Sequence, residues 1–198
     1  KENRKTLEGP RHFKSDIQEL MTPPSSRFAV ENAPDPELMY VRLVPNDAES
    51  IEDCVDLKDQ VGEDGVLEFD VPEGKHTLFV GAFRAGFRSV MHGAPGADGQ
   101  VLDHLNREAV RKYLERLSSR LGPVLGGELG DGLRAMFCDS IELSGANWTN
   151  DFAEEFKKRC GYELEPWLQF AIYDPHHGYP ELPDDPEFAD QVRRVRYD

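Results

Sequence analysis

No apolar run in this chain approaches the roughly 20 residues needed to span a membrane, so membrane insertion is not expected. Cysteine is scarce. Cys54, Cys138 and Cys160 are widely spaced and odd in number, which fits neither a disulfide framework nor a paired-cysteine metal knuckle. Buried free thiols are the simpler expectation. Basic residues are outnumbered, with 23 Lys and Arg against 38 Asp and Glu. The formal charge of -15 repels phosphate backbones and anionic bilayers, so nucleic acid is excluded as a fitting partner and a neutral or cationic ligand is favoured. The glycine-rich stretch 93–99 lacks the Lys-Ser/Thr ending of a phosphate loop and carries Asp98, which would repel a phosphate. Internal repeats are lacking as well.

What is present divides the chain by texture. Residues 1–37 mix charge with Pro10, Pro23, Pro24, Pro34 and Pro36 and read as an irregular linker segment. Within it Phe13, Ile17, Leu20 and Met21 suit one short amphipathic helix. Residues 38–75 read as a β-rich insertion. The runs 39–44, 65–71 and 75–81 partly alternate apolar and polar positions, and Pro72-Glu73-Gly74 reads as the turn of a hairpin between the last two.

From residue 76 onward the order becomes strand, helix, strand, helix. Asp103 or Asn106 caps a helix whose Ala109, Val110, Tyr113, Leu114, Leu117 and Leu121 recur at three- and four-residue steps until Gly122-Pro123. An apolar run at 133–138 has strand length. Thr149 or Asn150 then caps a second helix, with Phe152 and Phe156 one turn apart and Gly161 at its end. Such alternation implies parallel strands with right-handed crossovers, and residues 76–198 are expected to form part of a (β/α)8 barrel, an α/β fold carrying a small antiparallel insertion. The chain opens without Met and closes on a charged segment, 188–198, that stops in mid-pattern; a piece of a longer polypeptide is expected.

The chemistry is read from the end of the third run. In parallel α/β architectures the carboxyl ends of the strands face the ligand crevice, which delivers Asp139 and Glu142 to a site. A carboxyl beside Phe137 and Trp148 loses hydration, its pKa rises, and it suits a general acid for glycosidic cleavage. Trp148 offers an apolar face to a sugar ring and Asn147 an amide to its hydroxyls. An alternative stays open on the residues alone: Asp139 and Ser140 as turn caps, Glu142 solvated, Trp148 in the core. Arg84 and Arg88 suit either a substrate carboxylate or open solvent. His176 and His177, beside Asp174, Asp184 and Asp185, are adjacent and point differently, so a solvated loop is the simpler reading of them than a metal site.

The run Phe137-Cys138-Asp139-Ser140-Ile141-Glu142-Leu143-Ser144-Gly145-Ala146-Asn147-Trp148-Thr149 resembles the catalytic region of α-L-rhamnosidases of glycoside hydrolase family 106. It continues in Phe152, Glu155-Phe156, Arg159-Cys160-Gly161-Tyr162 and Pro166-Trp167-Leu168. Upstream, Val71-Pro72-Glu73-Gly74, Pro95-Gly96-Ala97-Asp98-Gly99 and Val101-Leu102-Asp103-His104-Leu105 extend the likeness to about residues 65–170. The resemblance implies a large secreted or periplasmic inverting hydrolase with a (β/α)8 catalytic domain, a calcium requirement and a rhamnose-containing glycan or glycoside as substrate. Carried onto this chain it implies Glu142 as general acid, with Asp139, Asn147 and Trp148 shaping the sugar site and Asp103 and His104 reaching it from the preceding loop. Inversion requires a second carboxylate roughly 6.5 to 9.5 Å from the first, to activate water on the opposite face. That base is expected beyond Asp198. Cys138 stands where the resemblance leads one to expect a polar residue such as Asn. The rival expectation is a catalytically silent carbohydrate-binding or structural segment.

Overall fold

The computed structural model describes residues 2–21, 34–85, 90, 95–96, 99–136, 146–173 and 178–198. Its centre is β4 (Val66–Phe83), which pairs on one side with β1 (Glu2–Asp16) and on the other with β2 (Glu37–Pro45); β2 in turn carries the two-residue β3 (Val55–Asp56). The order is β1-β4-β2-β3 and every pairing is antiparallel. The sheet is open. It therefore corrects the barrel expectation: the described strands form an antiparallel sheet flanked by helices, not a part of a (β/α)8 barrel. The reason lies at residues 133–136, which carry no strand and leave Met136 56 % exposed. A short apolar run does not by itself distinguish a strand from irregular chain. Residues 137 and 138 of that run lie outside the described residues.

The expected hairpin is also replaced. Pro72-Glu73-Gly74 makes no turn; β4 runs straight through it. Gly9 stands opposite Gly74 and Arg11 opposite Val71, so β4 spends three steps where β1 spends two. This is a β-bulge, and its extra residue switches which positions face inward. Leu67 and Val71 face the same core as Leu78, Val80 and Ala82, an odd-to-even change that an unbroken period of two would forbid. Gly9 is required here, because a Cβ at that position would overlap the Pro72 carbonyl oxygen.

Both faces of the sheet are covered. On one, Val41 and Leu43 of β2 and the inward positions of β4 pack with Leu7 and Phe13 of β1 and with Ile17, Leu20 and Met21 of α1 (Ile17–Met21). On the other, Tyr40, Val44 and Phe79 meet three helices. These are α4 (Phe152–Cys160), α5 (Leu168–Ala171) and α6 (Pro186–Tyr197). Helix α6 occupies the segment read as charged and unfinished. Asp185 caps it by accepting from the Phe188 N–H at 2.8 Å, and Phe188, Val192 and Val195 recur at helical spacing to form its buried stripe. Helices α2 (Arg107–Leu125) and α3 (Leu129–Gly132) pack on each other. Helix α2 continues through Pro123 to a left-handed Gly126, past the predicted stop.

Residues 2–16, expected as linker, instead supply a buried carboxylate. Glu2, Gly81 and Tyr40 lie side by side on three neighbouring strands, and a Cβ on Gly81 would overlap the Tyr40 ring. The bare glycine lets the phenol cross β4 and donate from its hydroxyl to Glu2 Oε2 at 2.5 Å, while Arg4 Nε donates to Oε1 at 2.7 Å. The Glu2 side chain has 0 % exposure. Burial raises its pKa to about 7 against the opposing hydrogen bonds of Tyr40 and Arg4, and burial together with Glu2 holds the Tyr40 hydroxyl well above its usual range.

A carboxyl whose folded pKa lies above its unfolded value favours the fold when protonated. That stability is complete below about pH 4.5 and is lost as pH rises through about 7. Glutamine satisfies both neighbours, since Tyr40 can reverse its hydroxyl and accept. Wild type should therefore lose about 3 kcal/mol relative to Glu2→Gln between pH 4.5 and 8, measured by urea denaturation across that range. A pH-independent difference between the two proteins would remove this account of Glu2.

Candidate functional site

The loop before α2 and the segment before α4 are tied together by a few hydrogen bonds. Asn106 caps α2, its side-chain oxygen accepting from the Ala109 N–H at 3.0 Å. Thr149, buried at 4 % exposure, donates from Oγ1 to Asp103 Oδ2 at 2.8 Å and accepts from Asn106 Nδ2 at 3.4 Å. Asp103 Oδ1 accepts from the Leu105 N–H at 3.0 Å. Of the two helix caps read as alternatives at each end, Asn106 caps α2, whereas α4 begins at Asp151 with no side-chain cap. Thr149 instead joins the two segments, which fixes the residues on either side of it.

Those residues are Trp148 and Asn150, and both line an open cleft of about 380 Å³. Its other walls come from the start of β2 (Glu37, Leu38), the end of β4 (Phe83), Lys58 and Glu165. Trp148 is half-buried and lies 5.3 Å from the Phe152 ring, centroid to centroid, at the margin of the helix-side core. The cleft thus sits where the sheet edge meets the helical layer.

One buried cation braces it from behind. Arg42 faces the helical layer from the middle of β2 and is 4 % exposed. Its Nη1 donates to the Glu165 carbonyl oxygen at 2.7 Å and to Gln169 Oε1 at 2.5 Å, its Nη2 pairs with the Glu165 carboxylate, and its Nε lies 3.8 Å from Asp56 Oδ2. The guanidinium also lies 5.3 Å from the Tyr40 ring centre. Cys54, beside this network, has its thiol pushed up to about 11 by burial, so it stays a protonated, unreactive thiol at neutral pH. Cys160 is likewise free and half-buried. Cys138 lies outside the described residues.

Of the residues expected to form the sugar site, Asp103 is tied to Thr149, the residue next to Trp148 in sequence, and Trp148 lines the cleft. Asn147 is exposed and does not line the cleft. His104 is exposed and donates from Nδ1 to the Leu102 carbonyl at 2.7 Å. Glu142 and Asp139 lie outside the described residues, as do Arg88, Asp174, His176 and His177. Sequence reasoning missed Glu37, Lys58, Asn150 and Glu165. Only the placement of Asn150 beside Trp148 was within reach of a sequence argument, because the others arrive from distant parts of the chain. Among the described residues no three His, Cys, Asp or Glu side chains gather as metal ligands.

Residues 29–172 match the family model of glycoside hydrolase family 106, described as alpha-L-rhamnosidase. This chain belongs to that family. No curated protein matches it. The matched span begins after β1 and ends before α6, and it contains the cleft, the Thr149 bridge and the Arg42 brace. As a glycoside hydrolase family member the chain is associated with a carbohydrate substrate. Among the described residues no helix is long and apolar enough to cross a membrane.

Proposed function

We propose that the intact protein hydrolyses terminal α-L-rhamnosyl bonds by inverting carboxylate acid/base catalysis, with Glu142 as the general acid that protonates the departing oxygen. The family match over residues 29–172 carries this reading, since it spans the Asp139-Ser140-Ile141-Glu142 run and the sugar-site candidates after it. Asp139, Asn147 and Trp148 shape the rhamnosyl site, with Asp103 and His104 on the approaching loop. In this scheme Asp103 also positions Trp148 through Thr149. No carboxylate of this chain is assigned as the base, and no step is routed through calcium. A glycan substrate and a hydrolase working in the periplasm or outside the cell complete the proposal.

Stereochemistry tests it directly. An inverting enzyme acts by single displacement at the anomeric carbon, so an α-rhamnoside must release β-L-rhamnose first. Proton NMR of the intact protein with methyl α-L-rhamnoside, read within minutes, should show the β anomer appearing ahead of mutarotation. First appearance of the α anomer would replace inversion by retention, and absence of any release would remove the activity.

A further inference from the structure

We propose that the first residues of β1, 2–6, are a pH-sensitive strap that ties the segment 178–180 to the sheet, with the Glu2 carboxyl as its switch and Arg4 as its link. The strap is closed while Glu2 is protonated and opens as Glu2 ionises. It stands apart from the glycosidase reading, because Glu2, Arg4, Gly178 and Arg196 all lie outside the family-matched residues 29–172.

The geometry is that of a clasp anchored at one end. Leu7, 2 % exposed, is the first apolar side chain of β1 to be buried, and the five residues before it include none. Those five are held by pairing with β4 and by side-chain bonds, Asn3 Nδ2 donating to the Leu20 carbonyl oxygen at 2.9 Å among them. A segment without buried apolar anchors opens locally at a smaller cost than the core does. Within it, Glu2 places its enclosed carboxyl between the Tyr40 hydroxyl and Arg4 Nε. Arg4 carries the contact outward, its Nη2 donating to the Gly178 carbonyl oxygen at 3.1 Å across 174 positions. The same segment is held from α6, where Arg196 Nη2 donates to the Pro180 carbonyl oxygen at 2.7 Å and the guanidinium lies 4.7 Å from the Tyr179 ring centre. Two arginines from opposite ends of the chain thus grip residues 178–180, and only the grip of Arg4 is tied to a buried carboxyl.

Protonated, that carboxyl is cheap to enclose. Ionised, it must give up its water, and burial outweighs the bonds from Tyr40 and Arg4, which sets its pKa at about 7. In the open strap it is hydrated and returns toward the ordinary 4.5. The closed form therefore binds the proton more tightly, so closure is fully favoured below about pH 4.5 and weakens as pH rises through about 7. Among the described residues the charged and titratable groups facing Glu2 are Arg4 on its own strand and Tyr40 on β2, together with the charge of the chain's amino terminus. Arg42 lies against the Tyr40 ring and Arg196 acts on Arg4, while β4 presents the uncharged Gly81.

Carbon NMR of the whole chain from pH 4 to 9 tests the strap without any substitution. The Glu2 carboxyl carbon should titrate near 7, and the Gly178 carbonyl carbon, which loses its Arg4 donor, should move with the same midpoint. Hydrogen exchange corrected for intrinsic rates should show protection of the β4-paired amides in residues 3–6 falling by roughly fifty- to a hundredfold between pH 5 and 8.5. That protection should stay below that of the central β4 amides at every pH, the mark of a local opening rather than global unfolding. In Glu2→Gln the Gly178 carbonyl should no longer titrate. In Arg4→Met, Glu2 should still titrate, with a higher midpoint because a cation that lowered it is gone, and Gly178 should cease to follow. A Glu2 midpoint near 4.5, a Gly178 carbonyl that ignores Glu2 in the wild type, or equal protection of residues 3–6 and central β4 would each overturn the strap.

Discussion

Glu142→Gln should lower kcat on an alkyl α-rhamnoside by roughly a hundredfold to ten-thousandfold, the contribution typical of a positioned general acid. The amide preserves the shape of the carboxyl and part of its hydrogen bonding but has no proton to give. An alkoxide is a poor leaving group and needs that proton as the bond breaks. A nitrophenolate does not, so the loss on a 4-nitrophenyl rhamnoside should be markedly smaller. The contrast between substrates identifies the role: a residue that only binds sugar would depress both rates alike, and one that only supports the fold would lower stability with them. Steady-state kinetics on the two substrates, with wild type and variant side by side, supply the measurement. Full activity of the variant on the alkyl substrate would end the assignment.

The parts of the fold that a sequence shows best are those whose burial is one-sided. The α2 cap at Asn106, the left-handed glycine at the end of α4 and the apolar pair Phe152 and Phe156 were all legible, because local hydrogen bonding and spacing determine them. β1 was hidden because Leu7 and Phe13 are the only buried apolar residues among its 15, too few to reveal a period of two among so many charges. The bulge was read as a turn because proline and glycine serve both. The barrel expectation failed at 133–136, where a short apolar stretch was given a strand's role without a partner. The expected alternation of helix and strand is not found among the described residues, where every named element after β4 is a helix, and alternation implies parallel pairing only when the strands are real. α6 did announce itself, in Asp185-Pro186 and the Phe188, Val192, Val195 spacing, and its many charges masked the stripe. In the site, Thr149 joins Asp103 and Asn106 across 46 and 43 positions, a link that no local pattern announces. Glu165 meets Arg42 across 123 positions, a separation at which no local pattern speaks.

Arg42 is the position where the next largest loss is expected. A strand reading of residues 39–44 makes it a polar residue on a solvent face, whereas the sheet is covered on both sides and Arg42 is enclosed. Arg42→Met retains the length and apolar stem of the side chain, so packing changes little. What it removes is a cation serving the buried Gln169 side-chain oxygen, whose residue is 0 % exposed, and the part-buried Glu165 carbonyl. A buried acceptor left without a donor costs about 1–3 kcal/mol. The Glu165 carboxylate contributes less, because its side chain is 59 % exposed and regains water when released. The expected loss is therefore about 3 kcal/mol, or roughly 6–12 °C in Tm for a chain of this size, with the urea m-value unchanged. Arg42→Lys restores the charge but not the forked donor geometry and should fall between the two. Equal urea midpoints for wild type and Arg42→Met would show that the guanidinium is not what joins the sheet to the helical layer, and the account of how the cleft is braced would fall with it.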